Sequence, residues 1–239
     1  SKIKAGIETY LGSAPGVVTV APNGEQYDVK IDFAPLAAKA ASPGFVFQSS
    51  PWNYKVSDMG SGKWEVRQDE PISLTMKTDK QFDFTAKAAR SRSTSIYDEA
   101  VGTFTQTTAV ISDFTVDQTM VMPEGVPSLV NYKIKSITYE TTASAAGGDA
   151  VDATFKSGFD GLEETISMPL SPGAPPQPVK IAASKGSQTG DIKGLKLQAV
   201  KSMVAWAVAN AGSQDLKGRE AEVRKLFSDA LPFFNSLTT

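Results

Sequence analysis

The chain contains no cysteine and no histidine. The first absence excludes thiol nucleophiles, thiolate metal sites, haem attachment and a disulfide framework. The second removes the Ser-His-Asp triad and imidazole-based zinc or iron sites. Long hydrophobic runs are missing as well. The longest strongly apolar stretch, Met203 to Ala209, has seven residues, against about 20 for a bilayer-spanning helix. The expectation is a chain without a transmembrane span and without an opening apolar signal segment. Charge of one sign is also lacking: 24 Lys plus Arg oppose 26 Asp plus Glu, for a net charge of -2. The basic residues are dispersed, so no concentrated positive field awaits a phosphate backbone. Nucleic acid is not an expected partner.

What remains is the composition of a folded protein, 41% hydrophobic over 239 residues, with room for one large domain or two small ones. Its dominant signal has period two. Gly16 to Ala21 (GVVTVA) leads through Pro22-Asn23-Gly24-Glu25 into Gln26 to Phe33 (QYDVKIDF), and Asn-Gly suits a tight hairpin turn. Tyr27, Val29, Ile31 and Phe33 alternate with Asp28, Lys30 and Asp32, giving one apolar and one wet face. Lys2 to Leu11 reads as a short helix, with Ile3, Ile7 and Tyr10 near one face. Pro35 to Ala41 reads as a helical turn ended by Pro43-Gly44.

The alternation resumes at Trp52, Tyr54 and Val56. It continues through Trp64 and Val66, then Ile72, Leu74 and Met76, then Phe82, Phe84, Ala86 and Ala88, with turns at Asp58 to Gly62 and at Asp79-Lys80. Val101 to Met122 and Ser128 to Thr142 are long strands. In the second, Val130, Tyr132 and Ile134 are even while Ile137 and Tyr139 are odd, so a bulge near Lys135-Ser136 keeps both sets on one face. Val151 to Phe155 and Leu162 to Met168 flank Gly158 to Gly161, read as the turn of a further hairpin. Pro169 to Pro178 holds five prolines and reads as an extended crossing loop, followed by a short edge strand at Val179 to Ala182.

Near Asp191 the period changes. Ile192, Leu195, Ala199, Met203, Trp206 and Ala207 follow helical spacing, ended by Asn210 to Ser213. Asp215 is the expected N-cap of a second helix with a stripe of Val223, Leu226, Phe227 and Ala230, stopped by Pro232. The predicted fold is therefore mainly β (α+β): a large curved antiparallel sheet or open barrel-like meander with a C-terminal helical hairpin. Residues 1–190 form the β body with its short N-terminal helix, and residues 191–239 form the helical hairpin packed on the sheet.

Few residues look chemical. Gly60-Ser61-Gly62-Lys63 resembles a piece of a phosphate loop, but Trp64 follows where Ser or Thr is needed, and the segment joins two strands. It reads as a hairpin turn. Asp149, Asp152, Asp160, Glu163 and Glu164 match no calcium-loop spacing and read as solvated charges. Paired carboxylates of a glycosidase are available in any β-rich chain with 26 acids. Ser91 to Ser95 (SRSTS) lacks the defined Ser-Lys pair of a nucleophile and reads as a polar strand or loop. The aromatics have two readings. Tyr27, Phe33, Trp52, Tyr54, Trp64, Phe82 and Phe84 lie on apolar strand faces, either as packed core or as the lining of a groove for an apolar ligand.

The stretch Leu11 to Pro51 (LGSAPGVVTVAPNGEQYDVKIDFAPLAAKAASPGFVFQSSP), continued through Trp64, Val66 and Ile72 to Met76, resembles a poorly characterised family of alphaproteobacterial cell-envelope proteins. The pattern is more distantly similar to long-sheet envelope proteins of the AsmA and YdgA type. The resemblance implies a periplasmic or exported protein with apolar sheet faces, engaged in envelope maintenance or in handling an apolar ligand. It brings no active-site residue with it. The expected function is thus non-enzymatic, without cofactor or metal: binding or carrying a lipid or other apolar small molecule. Its candidate lining is Trp52, Tyr54, Trp64, Phe82, Phe84, Trp206, Phe233 and Phe234. The alternative is a structural or assembly module that binds an envelope protein through an exposed sheet edge or apolar patch.

Overall fold

A computed structural model describes residues 2–11, 13–39, 44–79, 81–121, 127–169, 174, 176–210 and 217–239. Eleven strands in these residues form one open antiparallel sheet. They are β1 (Val18–Asn23), β2 (Gln26–Ile31), β3 (Phe45–Ser49), β4 (Trp52–Gly60), β5 (Lys63–Thr78), β6 (Phe82–Asp98), β7 (Thr103–Val121), β8 (Pro127–Gly147), β9 (Ala150–Met168), β10 (Gln177–Lys196) and β11 (Ser236–Thr238). Their spatial order is β1-β2-β4-β5-β6-β7-β8-β9-β10-β11, with β3 beside the far half of β5. Hairpin turns fall where the sequence places residues tolerant of positive φ: Gly24 at +61°, and Gly60, Ser61 and Gly62 at +78°, +54° and +74°.

Cross-strand pairing assigns the faces. One face carries Val29, Tyr54, Val66, Leu74, Ala86, Val116, Tyr132 and Ile166, linked through pairs such as Val29–Tyr54, Val56–Val66, Leu74–Ala86, Ala86–Val116 and Val116–Tyr132. The other carries Lys55, Arg67, Thr85, Asp117, Asn131 and Thr165. Alternation alone does not keep this sorting over strands of up to 21 residues. One cross-strand row is skipped throughout β6–β10, at Ala89, Asp113, Lys135, Gly161 and Ser184, while pairing continues on both sides. Each strand there steps three residues between apolar-face positions. Ile134 opposes Phe114 and Ile137 opposes Ile111, as the bulge expected near Lys135-Ser136 requires. Asp113 and Gly161 take up the irregularity at φ +50° and +67°.

This geometry reverses ordinary β-propensity at one position. Valine suits an exposed strand site, but at φ +50° its branched Cβ clashes with the backbone. Asp113→Val is therefore expected to lose about 1–2 kcal/mol, whereas Asp113→Asn stays near wild type. Urea denaturation of the two variants is the check; a valine variant as stable as the asparagine one contradicts the account.

The skipped row also explains a correction. Gly158 to Gly161 is not the turn of a hairpin: β9 runs through it unbroken, held by β8 on one side and β10 on the other. Gly161 supplies positive φ, and Gly158 permits close approach, since a Cβ there would stand 3.1 Å from Thr138 Oγ1 and 3.4 Å from the Gly186 carbonyl. The edge strand expected at Val179 to Ala182 belongs to a much longer one, β10. Its Gly186 and Gly190 sit beside Phe159 and Phe155, whose rings fill the space a Cβ would need. The helical spacing read from Ile192 likewise begins too early. Asp191 to Lys193 pair with β11, Gly194 turns at φ +64°, and strand continues to Lys196. The segment after 191 is thus a strand end, two helices and a return to the sheet.

The helices are α1 (Lys2–Leu11), α2 (Ala34–Lys39), α3 (Leu197–Ala209) and α4 (Glu220–Ala230). α1 packs on β1 and α3, and α3 packs on β9 and α4. The Lys201 ammonium donates to the Gly102 carbonyl at 2.6 Å, and the Leu197 N–H to the Asp149 carbonyl at 3.3 Å. α3 therefore lies at the sheet end that holds the β6–β7 and β8–β9 turns. Among the described residues the buried apolar side chains are few and small, among them Val17, Val18, Val29, Val56, Val116 and Val151. Lys80, Met122, most of the proline-rich stretch, residues 211–213, the expected N-cap Asp215 and the side chain of Tyr10 lie outside the described residues.

Candidate functional site

The two sheet faces differ in charge as sharply as in hydropathy. On β5–β10 every Lys and Arg that pairs in the ladder stands on the polar face or in the skipped row, and the apolar face has two charged side chains, Glu70 and Glu164. The polar face is tied by cross-strand ion pairs such as Lys77–Asp83 at 2.6 Å and Lys55–Asp28 at 2.6 Å. Asp69 accepts from Arg90 Nη2 at 2.6 Å and from Arg92 Nε at 3.2 Å. The Arg90 hydrogen bond, aided by the charges of both guanidiniums, holds its carboxyl at about 2. A depressed acid contributes stability that is complete above its unfolded pKa and is lost as pH falls through the folded one. A carboxyl titration followed by NMR is expected to give Asp69 a midpoint near 2. Arg90→Ala should return it towards the ordinary carboxylate range; an unchanged midpoint would show that the pairing is not its cause.

The apolar face is itself divided along the strands. On β6 it presents Phe82, Phe84, Ala86 and Ala88 on one side of the skipped row, and Ser91, Ser93, Ser95 and Tyr97 on the other. β5 follows suit, with Ile72, Leu74 and Met76 against Glu70 and Gln68. The small side chains of β6 lie between large ones on β5 and on β7 and β8, where Ile111, Phe114, Val116, Ile134 and Ile137 stand.

Five expected lining residues, Trp52, Tyr54, Trp64, Phe82 and Phe84, share this face, and all are half-buried. They do not form one cluster. Trp52 meets Phe33 edge-on at 4.9 Å, Trp64 approaches Tyr27 at 6.4 Å and donates its indole N–H to Glu99, and Phe82 and Phe84 stack at 6.1 Å. Burial, and next the charge of Glu70, push the Tyr54 phenol up to about 12, so it is a neutral donor. Trp206 stands on α3, Phe233 is half-buried after α4, and Phe234 is exposed. Two open depressions lie away from these residues. One of about 420 Å³ is lined by Ser136, Thr138, Asp160, Lys185 and Ser187 beside Gly158, and one of about 650 Å³ by Gly218, Glu220, Arg224 and Ser228 near α4.

Sequence reasoning missed the polar members of the face: Gln68, Glu70 and Ser91. The Glu70 carboxylate accepts from the Asn53 backbone N–H and Nδ2, both at 2.6 Å, and from Gln68 Nε2 at 3.2 Å. Gln68 and Ser91 are buried. The available signal was the regular Ser91, Ser93, Ser95 alternation, masked by its phase change against Phe82 to Ala88. Gly60 to Gly62 forms the hairpin turn expected of it. Glu163 and Glu164 are on opposite faces, and among the described residues no group of three acids is placed to hold a metal. No helix among them is long and apolar enough to cross a membrane. No family model, curated protein or solved structure matches the chain.

Proposed function

We propose that this chain is a non-enzymatic periplasmic or exported protein that binds a lipid or another apolar ligand on the cation-free face of its sheet, in cell-envelope maintenance. The observation that carries the reading is the extent of that face. Apolar residues continue across β5–β10, and several of them stay exposed, Met120, Tyr139, Met168, Val179 and Ile181 among them. A contiguous apolar surface of that kind marks a binding surface. The resemblance to long-sheet envelope proteins supports the compartment.

A protein-binding scaffold is the second reading, and the outer edge of β10 is its best support. Residues 177–190 of β10 have no outer partner among the described residues. Pro178, Lys180 and Lys185 stand along that edge. Proline and lysine are the residues that blunt sheet edges against strand addition, which favours the ligand reading. Native mass spectrometry with lipid extraction, on protein expressed through its export route, is the test. Stoichiometric lipid is expected, lost in a folded Phe84→Asp variant. A ligand-free protein would sink the reading and promote the scaffold.

A further inference from the structure

A ligand that covers an apolar surface also covers whatever charge lies in it, and on β8–β10 that charge is Glu164. The ladder sets it between Tyr132 of β8 and Ile181 of β10. Along β9 its neighbours on the same face are Leu162 and Ile166, which pair with Ile134 and Val130. The carboxylate is half-buried, and among the described residues it joins no ion pair. The Tyr132 phenol donates to it, and that hydrogen bond, together with burial, raises the phenol above its ordinary value. Glu70, the other acid of the face, is already held by Asn53 and Gln68. The preceding residue in the chain gives the contrast: Glu163 stands on the polar face, opposite Lys133.

The apolar surface beside Glu164 is open. Ile181 is 46% exposed, Val179 48% and Met168 40%. Val179 pairs with Ile166, and Met168 lies two positions further along β9 on the same face. A ligand laid over these side chains strips water from the Glu164 carboxylate as well, and an uncompensated anion pays heavily for that. An uncharged ligand carries the cost or forces a proton onto the carboxylate, and an anionic one adds repulsion. A cation offsets it. The apolar face of β5–β10 has no Lys or Arg to supply one, so the positive charge has to arrive with the ligand. The Tyr132 ring beside the carboxylate adds a second attraction for an ammonium group. At about 3.3 Å per residue, Glu164 to Met168 offers roughly 13 Å of strand. One membrane acyl chain takes about 15 Å, half of a hydrocarbon core of about 30 Å.

Resting on the ligand reading above, we propose that the β8–β10 part of the apolar face binds single-chain amphiphiles with a cationic ammonium head. The ammonium sits at Glu164 against the Tyr132 ring, and the chain runs over Ile181 and Val179 towards Met168. Uncharged amphiphiles bind more weakly, and anionic ones more weakly still.

Oleoylcholine, monoolein and oleate test this, because they carry the same acyl chain on a cationic, a neutral and an anionic head. Each is titrated by calorimetry at neutral pH, below its micelle concentration, into the delipidated full chain. Oleoylcholine is expected to bind about ten-fold more tightly than monoolein, an ion pair and a ring contact each supplying a few-fold, and oleate is expected to bind most weakly. Glu164→Gln keeps the shape and an acceptor for Tyr132, and it should bring oleoylcholine and monoolein to equal affinity. Glu163→Gln removes the same charge from the polar face and should leave the gap unchanged. Nuclear Overhauser contacts from the choline methyls to the Ile181 methyls locate the head on the wild type, independently of any variant's stability. Equal affinities of oleoylcholine and monoolein for the wild type overturn the ammonium site and leave the broader ligand reading standing. A gap lost equally in Glu163→Gln and Glu164→Gln does the same, as do choline contacts on the polar face. Failure of all three ligands to bind the wild type overturns both.

Discussion

Replacing Gly190 by valine is expected to destabilise the protein by about 3 kcal/mol, the upper range for overpacking a filled site, and to release the C-terminal strand from the sheet. Gly190 is buried on the apolar face opposite Phe155. A Cβ there would stand 2.5 Å from Phe155 Cζ and 2.5 Å from the Thr238 carbonyl oxygen. The ring can rotate, but the carbonyl is backbone of the three-residue strand β11, which holds to β10 only at Asp191, Ile192 and Lys193. Relieving the clash therefore means giving up that pairing. Gly186→Val is the comparison. The three atoms nearest its Cβ would all belong to the Phe159 ring, so a side-chain rotation relieves the clash and the loss should be smaller. Urea denaturation gives the ordering, and amide exchange at Ile192 and Leu237 reports on β11. Equal losses in the two variants, or unchanged protection of β11, would sink the explanation.

The same glycines show where the sequence stops being legible. Period two identified the strands up to Phe84 and Ala88 because bulky residues mark one face there. The bulge at Lys135-Ser136 was readable because apolar residues flank it on both sides. The equivalent step at Ala89 was hidden, since the apolar face changes there from alanine to serine and SRSTS looks like ordinary polar chain. At Gly161 the step looks like a turn in the sequence, because positive φ serves both purposes and only the neighbouring strands distinguish them. β10 is legible only at Val179 to Ala182, and the rest is hidden for a related reason. KGSQTG has weak β-propensity, and it is strand because Phe155 and Phe159 on β9 stand over its glycines. That contact joins residues over 25 positions apart and leaves no local mark. The aromatic members of the face were legible one by one. Their grouping was not, since it depends on which strand neighbours which, and the polar pair of Glu70 and Ser91 exists only through the register of β5 against β6.

One strand allows the two faces to be weighed against each other. Met120 and Val110 both belong to β7 and are similarly exposed, at 40% and 42%. Met120 opposes Phe82 on the apolar face, while Val110 opposes Arg92 and Thr138 on the polar one. Aspartate at either position stays hydrated in the free protein, so both variants should keep stability within about 0.5 kcal/mol of wild type. Ligand binding separates them. A lipid bound on the apolar face would strip water from an aspartate at 120, and a penalty of only about 1.4 kcal/mol is already tenfold in affinity. With monoolein as an uncharged lipid probe, Met120→Asp is therefore expected to lower affinity at least ~10-fold, and Val110→Asp to leave it unchanged. Both are measured by calorimetry on variants with matched urea midpoints. Matched losses would mean that added negative charge acts through the whole sheet, and a loss confined to Val110→Asp would move the ligand to the charged face.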